Sequence, residues 1–304
     1  MRIAMMGSGG IGGYLGLRLA KSGADVSFIA RGAHLQAMRD NGLRLESPLG
    51  NVDLPRVTAT DDPAEIGKVD IVVVAVKLYD CEAAGSSLAP LVGTNTRVVT
   101  LLNGIDSADI LAGFVPRAQI VCGTTYVSSY VEAPGLIKQA GAMTEVTLGG
   151  RSDPVIEAFQ DTCGKAEGID LLLVDDVDQQ VWSKFVLLSA FSGATSLMRS
   201  SIGPILADVE SRQFIDQLRD EGMAIAAAAG HPMADDFAQQ ATSLWQRIPG
   251  ETKSSMANDL ARRKRIEVAW LSGRMHSLGR EFGVPTPAHT AVYRALHLHA
   301  KGTA

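Results

Sequence analysis

The sequence predicts an α/β fold in which a parallel sheet covered by helices is followed by an all-helical domain. In the first half of the chain, short runs rich in Val, Ile and Leu alternate with helix-length segments. Such continuous apolar strands indicate a sheet that is buried on both faces. In the second half, apolar residues recur at helical spacing, as in Val181, Phe185 and Leu188. We therefore predict one domain over residues 1–174 and a second over residues 175–304.

Several segments of the first half have the composition of buried parallel strands. The clearest cover residues 2–6, 26–30, 71–76, 98–102 and 120–121. Between Tyr126 and Gly149 the residues alternate without a helical pattern, and Pro134-Gly135 marks a turn. We expect this segment to extend the sheet with antiparallel strands.

Composition and charge narrow the class of protein. The chain has 304 residues, is 46% hydrophobic and 20% charged, and carries a net charge of −5. These values are typical of a packed globular protein and argue against a general nucleic-acid surface. Cys81, Cys122 and Cys163 are far apart and odd in number, so they predict neither a disulfide framework nor a metal cluster. The cysteine pattern fits a reducing compartment and no segment predicts a membrane span, so we expect a cytoplasmic protein without a membrane partner. No metal site is expected among the histidines.

A glycine-rich motif lies directly between the first predicted strand and the first predicted helix. It reads Gly7-Ser8-Gly9-Gly10-Ile11-Gly12. In this context the spacing predicts a dinucleotide-binding loop: the first glycine permits a tight turn, the second admits a pyrophosphate and the third allows close helix packing. The helix N-terminus then offers N–H groups and a positive dipole end to the phosphates. The first domain is therefore predicted to be of the Rossmann type.

Three further residues follow predicted strands on the side where such sheets bind ligands. Arg31 follows the second strand, where NAD-binding proteins usually carry a carboxylate for the ribose hydroxyls. A guanidinium there favours the 2′-phosphate of NADPH/NADP, with an ordinary surface arginine as the alternative. Lys77 could contact the nucleotide, and Asn103 could hold the nicotinamide ribose or the substrate. Each of these two residues could equally be a loop residue with no role in binding.

Taken with these motifs, further residues give the chain a resemblance to the ketopantoate reductase family, the 2-dehydropantoate 2-reductases of pantothenate biosynthesis. The additional matching features are Leu102-Asn103-Gly104, Val181-Trp182-Ser183-Lys184-Phe185, Ser254-Ser255-Met256 with Asp259, and Arg265-Ile266-Glu267. The resemblance extends over essentially the whole chain. It implies NADPH-dependent reduction of ketopantoate to pantoate.

The resemblance also implies roles for residues of the second half. Lys184 would be the general acid that protonates the ketone oxygen while hydride arrives from nicotinamide C4. Glu267 would bond the substrate hydroxyl and help fix the lysine, Ser255 would contact the substrate, and Asn103 would lie between cofactor and substrate. From the residues alone, Lys184 and Glu267 would be solvated helix residues.

The sequence departs from the family where the substrate is expected. The family typically has asparagines one and two helical turns beyond the lysine, and this chain has Leu188 and Ser192 at those substrate-binding positions. A missing amide leaves a ligand group unpaired, so a related reductase of a more apolar 2-oxo acid is the alternative. A 3-hydroxyacid dehydrogenase and a non-catalytic NADPH-binding regulator are the less favoured hypotheses. The apolar residues Val268, Leu271 and Met275 fit core and homodimer contacts equally.

Overall fold

A computed structural model describes residues 1–302 of the chain. It divides into two compact units, and the boundary between them lies between Gln180 and Val181. Our sequence-based boundary lies slightly earlier, after Val174. No helix among the described residues is long and apolar enough to cross a membrane.

All strands of the described residues belong to the first unit. They are β1 (Arg2–Met6), β2 (Asp25–Ile29), β3 (Leu43–Glu46), β4 (Val52–Leu54), β5 (Thr58–Thr60), β6 (Ile71–Val74), β7 (Arg97–Thr100), β8 (Ile120–Thr125), β9 (Ser129–Ala133), β10 (Leu136–Gln139), β11 (Glu145–Leu148) and β12 (Asp170–Leu173). The five segments predicted from apolar runs correspond to β1, β2, β6, β7 and β8.

The helices are distributed over both units. They are α1 (Gly10–Lys21), α2 (Gly32–Asn41), α3 (Cys81–Ser86), α4 (Ser107–Ala112), α5 (Pro154–Cys163), α6 (Val177–Leu197), α7 (Ile202–Ala207), α8 (Val209–Ala228), α9 (Phe237–Arg247), α10 (Ser255–Ala261), α11 (Ser272–Phe282) and α12 (Pro287–Leu296). From Val181 to residue 302, the described elements are helices and turns, as predicted.

Eight strands form the main sheet, in the order β12-β11-β8-β7-β6-β1-β2-β5. The strands β8, β7, β6, β1, β2 and β5 pair in parallel, with Met6 opposite both Ile29 and Val74. Every residue of β6 is buried, which is why its sequence Ile-Val-Val-Val has no polar alternation. This sheet confirms the α/β class predicted for the first half.

The prediction for residues 126–149 is only partly correct. β11 does extend the main sheet, pairing antiparallel with β8. β9 and β10, however, form a second sheet with β3 and β4, in the order β4-β3-β10-β9. β10 pairs in parallel with β3, with Leu136 opposite Arg44. This long-range pairing leaves no local signal, because alternation predicts strands but not their partners.

Candidate active site

The predicted cofactor residues leave neighbouring strands of the main sheet at the same edge. Asn103 follows β7, Lys77 follows β6, Gly7 follows β1 and Arg31 follows β2. These four strands are adjacent and parallel, so all four residues lie at the carboxyl edge. Open α/β sheets bind nucleotides at this edge. The structure therefore brings the four predicted positions into one row.

The glycine loop has the backbone geometry that the motif predicts. Gly7 adopts φ +96°, and a side chain there would also meet Val76 Cγ1 at 2.6 Å. A Cβ on Gly12 would overlap the Gly7 carbonyl oxygen, so the start of α1 can approach the loop only because Gly12 lacks a side chain. No atom lies within 4 Å of the Cβ position of Gly9. This leaves open space above Gly9, as close approach of a pyrophosphate requires.

The two non-glycine residues of the loop point their side chains inward. The Ser8 hydroxyl donates to the Ile29 carbonyl oxygen at 3.1 Å, and Ser8 is almost completely buried. Ile11 packs against the hydrophobic core of the first unit. Ser8, Gly10 and Ile11 would therefore serve a dinucleotide through backbone groups.

Arg31 lies between the end of β2 at Ile29 and the start of α2 at Gly32. It is the N-cap residue of α2 in extended conformation, and its side chain is exposed. Among residues 1–302 its guanidinium has no hydrogen bond or ion pair. Its donors thus remain available for an anionic group at the end of β2. Lys77 and Asn103 are partly buried and both have polar interactions within the chain.

The second unit holds a buried pair of opposite charges. Lys184 on α6 is 8% exposed and Glu267 is 3% exposed. Burial lowers the pKa of Lys184 to about 8, and the nearby Glu267 carboxylate opposes that shift. The expectation from residues alone, that both would be solvated, is wrong. A buried lysine with a pKa near neutrality is suited to proton transfer at physiological pH.

Glu267 is not on a helix, contrary to the expectation drawn from the residues. α10 ends at Ala261, and Arg263 adopts a left-handed φ of +57°. The segment up to α11 is irregular, and the Glu267 carbonyl oxygen accepts backbone N–H groups of Trp270 and Leu271. This turn places the carboxylate within electrostatic range of Lys184.

One face of α6 continues from the lysine toward α10. Lys184, Leu188 and Ser192 are spaced four residues apart, about 6 Å per step along the axis. Leu188 is partly exposed and Ser192 is completely buried. Within residues 1–302 the Ser192 hydroxyl has no hydrogen-bond partner, as is also true of Ser189 and Ser196 on the same helix.

Two residues to which the sequence analysis gave no role connect this face to α10. The hydroxyl groups of Thr195 and Ser254 are hydrogen-bonded at 2.9 Å, and both residues are buried. Ser254 also accepts the Ala257 N–H and so caps α10, whose first residue is the exposed Ser255. The Ser-Ser pair before a helix was the available signal, because serine is a common N-cap.

Three further expectations concern metal binding, homodimer contacts and the cysteines. Among the described residues, no group of His, Cys, Asp and Glu side chains could hold a metal ion. Val268, Leu271 and Met275 are buried within the chain, so they do not supply an exposed surface for a homodimer. The three cysteines are free, and burial raises the pKa of Cys81 to about 11 and of Cys163 to about 12.

The fold and these residues define a class of protein: an oxidoreductase with a Rossmann-type unit and a helical unit that contains a buried lysine. Family models identify it more closely. The model described as "Ketopantoate reductase PanE/ApbA" matches residues 3–153, and that described as "Ketopantoate reductase PanE/ApbA C terminal" matches residues 176–300. The chain belongs to the ketopantoate reductase family, whose members are oxidoreductases acting on CH–OH groups.

Individual relatives agree with this assignment. A 2-dehydropantoate 2-reductase of Mesorhizobium japonicum is 30% identical, and the match covers 96% of this chain and 95% of the relative. The crystal structure of 2-dehydropantoate 2-reductase from Geobacter metallireducens is 29% identical with a TM-score of 0.91, over 98% of this chain and 99% of the other. A D-mandelate dehydrogenase solved with NADH and anilino(oxo)acetate is 22% identical with a TM-score of 0.89, over 99% and 98%, and shares the fold.

Proposed function

We propose that this protein reduces 2-dehydropantoate (ketopantoate) to pantoate with NADPH, in the cytoplasm, as a step of pantothenate biosynthesis. The observation that carries the proposal is the buried Lys184 beside Glu267, in a chain of this family. The row of Asn103, Lys77, the glycine loop and Arg31 supports binding of a nicotinamide dinucleotide.

Lys184 supplies the proton of the reaction. The cofactor, when bound, supplies a hydride to the carbonyl carbon, and negative charge then develops on the carbonyl oxygen. The Lys184 ammonium stabilises that charge and transfers its proton to the oxygen, which completes the alcohol. With a pKa of about 8, roughly nine-tenths of the lysine is protonated at neutral pH. Glu267 keeps that fraction high and offers its carboxylate to a substrate hydroxyl.

Arg31 favours NADPH over NADH. Its exposed guanidinium stands at the end of β2, the position from which such sheets recognise the adenosine ribose. A planar guanidinium donates two hydrogen bonds to a phosphate, whereas it gains little from two hydroxyl groups. We therefore assign NADPH as the reductant.

Leu188 favours a second candidate, a 2-oxo acid that is more apolar than ketopantoate. It is partly exposed on the same face of α6 as Lys184, about 6 Å along the axis, and has no polar atom in its side chain. A substrate hydroxyl left unpaired against it would cost about 1–3 kcal/mol. Trimethylpyruvate has the carbon skeleton of ketopantoate but lacks the terminal hydroxyl, so it separates the two candidates.

The test is NADPH oxidation, followed by absorbance, with ketopantoate and trimethylpyruvate as paired substrates. Higher kcat/KM for ketopantoate assigns the biosynthetic reaction, and higher kcat/KM for trimethylpyruvate assigns the apolar alternative. Absence of NADPH oxidation with both compounds, and with other 2-oxo acids, contradicts the proposed reaction. Lys184→Ala should remove turnover while the Kd for NADPH stays near its starting value.

The variant Leu188→Asn tests the same point from the side of the protein. It should raise kcat/KM for ketopantoate relative to trimethylpyruvate by about fivefold or more, because one new hydrogen bond contributes about 1 kcal/mol. Leu188→Met is the matched control, since it changes shape without adding a polar atom. An unchanged ratio in Leu188→Asn would show that this position does not contact the substrate.

A further inference from the structure

His34 joins two backbone groups that are far apart in the sequence. It is the third residue of α2, and its Nε2 atom lies 2.9 Å from the carbonyl oxygen of Ser8. On the other side of the ring, the backbone N–H of Gly135 donates to Nδ1 at 3.1 Å. The imidazole therefore connects the glycine loop after β1 to the turn between β9 and β10.

The two contacts determine the protonation state of the ring. A backbone N–H can only donate, so Nδ1 must be the unprotonated acceptor. A carbonyl oxygen can only accept, so Nε2 must carry the hydrogen and donate it to Ser8. The structure thus requires the neutral Nε2–H tautomer. Burial lowers the pKa of His34, which favours that neutral form.

The Ser8 carbonyl is one of the backbone groups that set the direction of the glycine loop. The Ser8 N–H and hydroxyl both donate to the Ile29 carbonyl oxygen, at 2.9 and 3.1 Å. With the Nε2–H bond from His34, every polar group of Ser8 has a partner inside the protein. The bond from His34 engages the Ser8 carbonyl oxygen, whose partial negative charge would oppose a phosphate if it turned toward the open space above Gly9.

The Gly135 turn is itself well fixed. Gly135 adopts φ +76°, and its carbonyl oxygen accepts the Arg44 N–H at 3.0 Å, which ties the turn to β3. At the other end of β9, Ser129 lies so close to Gly10 that a Cβ on Gly10 would overlap the Ser129 carbonyl oxygen. The second sheet therefore touches the start of α1 directly and reaches the Ser8 carbonyl through His34.

We propose that His34 is a positioning residue for the dinucleotide, which holds the Ser8 carbonyl inward so that the following loop amides face the pyrophosphate. The inference rests on the proposed dinucleotide binding. The same side chain fixes the first turn of α2, which begins directly after Arg31. His34 therefore links Arg31, which is proposed to bind the 2′-phosphate, to the glycine loop, which is proposed to bind the pyrophosphate. His34 itself contacts protein backbone on both ring nitrogens, so it acts through Ser8.

Two substitutions separate the two hydrogen bonds. His34→Gln carries its amide to the Nε2 position, where it can donate to Ser8. His34→Asn places its amide at the Nδ1 position, where it can accept from Gly135 but cannot reach Ser8. The Kd for NADPH is measured by fluorescence titration, together with the thermal midpoint of each variant. His297→Asn, at an exposed position of the second unit, is the control for loss of a histidine.

We expect His34→Asn to raise the Kd for NADPH by about three- to tenfold, the effect of one net hydrogen bond. The His34→Gln variant should stay within about twofold of the starting protein. The loss should appear in KM for NADPH more than in kcat. Equal Kd values in His34→Asn and the starting protein would overturn the proposal, and so would losses that only follow the thermal midpoints. If the unsubstituted protein bound no NADPH, the proposed function itself would fail.

A spectroscopic measurement on the unsubstituted protein is independent of folding of the variants. Long-range ¹H–¹⁵N correlation spectra distinguish the two neutral histidine tautomers, and His34→Asn assigns the resonance by its disappearance. The Nε2–H pattern is expected for His34, with a further shift on addition of NADPH. The Nδ1–H pattern, or a charged ring at neutral pH, would overturn the proposal.

Discussion

Replacing Glu267 by Gln should change the pH dependence of turnover more than its maximum. Glu267 is the charged group that opposes the downward shift of the Lys184 pKa, which burial sets at about 8. An opposite charge at close range strengthens proton binding by about tenfold or more, so Glu267→Gln should lower the pKa of Lys184 further. The reaction needs the protonated lysine, and its alkaline limb should therefore move to lower pH.

The expected size follows from the two protonated fractions. At pH 6 the lysine is about 99% protonated with the carboxylate and about 90% without it, so this effect alone changes turnover little. At pH 8 the fractions are about one-half and one-tenth, which gives about a fivefold loss, and the ratio approaches tenfold at higher pH. Any lost contact between Glu267 and the substrate lowers activity by a factor that does not depend on pH.

The assay is kcat for the 2-oxo acid at saturating NADPH, from pH 6 to pH 9, for the starting protein and Glu267→Gln. Glu281→Gln is a suitable control, because Glu281 is an exposed carboxylate at the end of α11. Parallel profiles for the starting protein and Glu267→Gln would refute the coupling of the two residues. A limb that shifts equally in Glu281→Gln would show a general effect of charge.

Two further substitutions test the two units separately. Arg31→Asp should raise the Kd for NADPH by about tenfold or more and that for NADH much less, as measured by fluorescence titration, because the carboxylate repels the 2′-phosphate. An equal increase in Kd for both nucleotides would contradict the proposed contact between Arg31 and the 2′-phosphate. Thr195→Val should lower the free energy of unfolding in urea by about 1–2 kcal/mol, because it removes the buried hydrogen bond between the Thr195 and Ser254 hydroxyl groups and leaves Ser254 with the Ala257 N–H alone. A free energy of unfolding within about 0.5 kcal/mol of that of the starting protein, the range that most surface substitutions produce, would contradict this.

The main sheet could be predicted because its signals are local. β1 is a continuous apolar run, it ends at a glycine motif, and a helix follows at once. The second sheet has no comparable signal, because β3 and β10 pair across most of the first unit and each alternates only briefly. Strand composition predicts that a segment is extended, whereas the choice of partner depends on packing in three dimensions.

The site shows the same division between local and long-range information. The positions of Arg31, Lys77 and Asn103 followed from strand ends, and the structure places them at one edge. The burial of Glu267 could not be predicted, since no glycine or proline marks the end of α10 before Arg263 turns the chain. His34 gave no signal either, because a histidine in a helix acquires its role only when the Gly135 turn reaches it.

Reaction type and substrate identity rest on different residues, and this separates what the family establishes from what remains a proposal. Proton transfer needs a lysine whose pKa lies near neutrality, and burial with an opposing carboxylate provides it whatever carbon chain the 2-oxo acid has. Under the proposed function, substrate choice depends on side chains about 6 Å away along α6, where Leu188 stands in place of the amide that the family resemblance implies. One hydrogen bond there changes kcat/KM between two acids by about five- to a hundredfold without altering the chemical step. The proposal therefore predicts that the fold keeps its reductase chemistry while a single substitution on α6 changes the acid that it reduces.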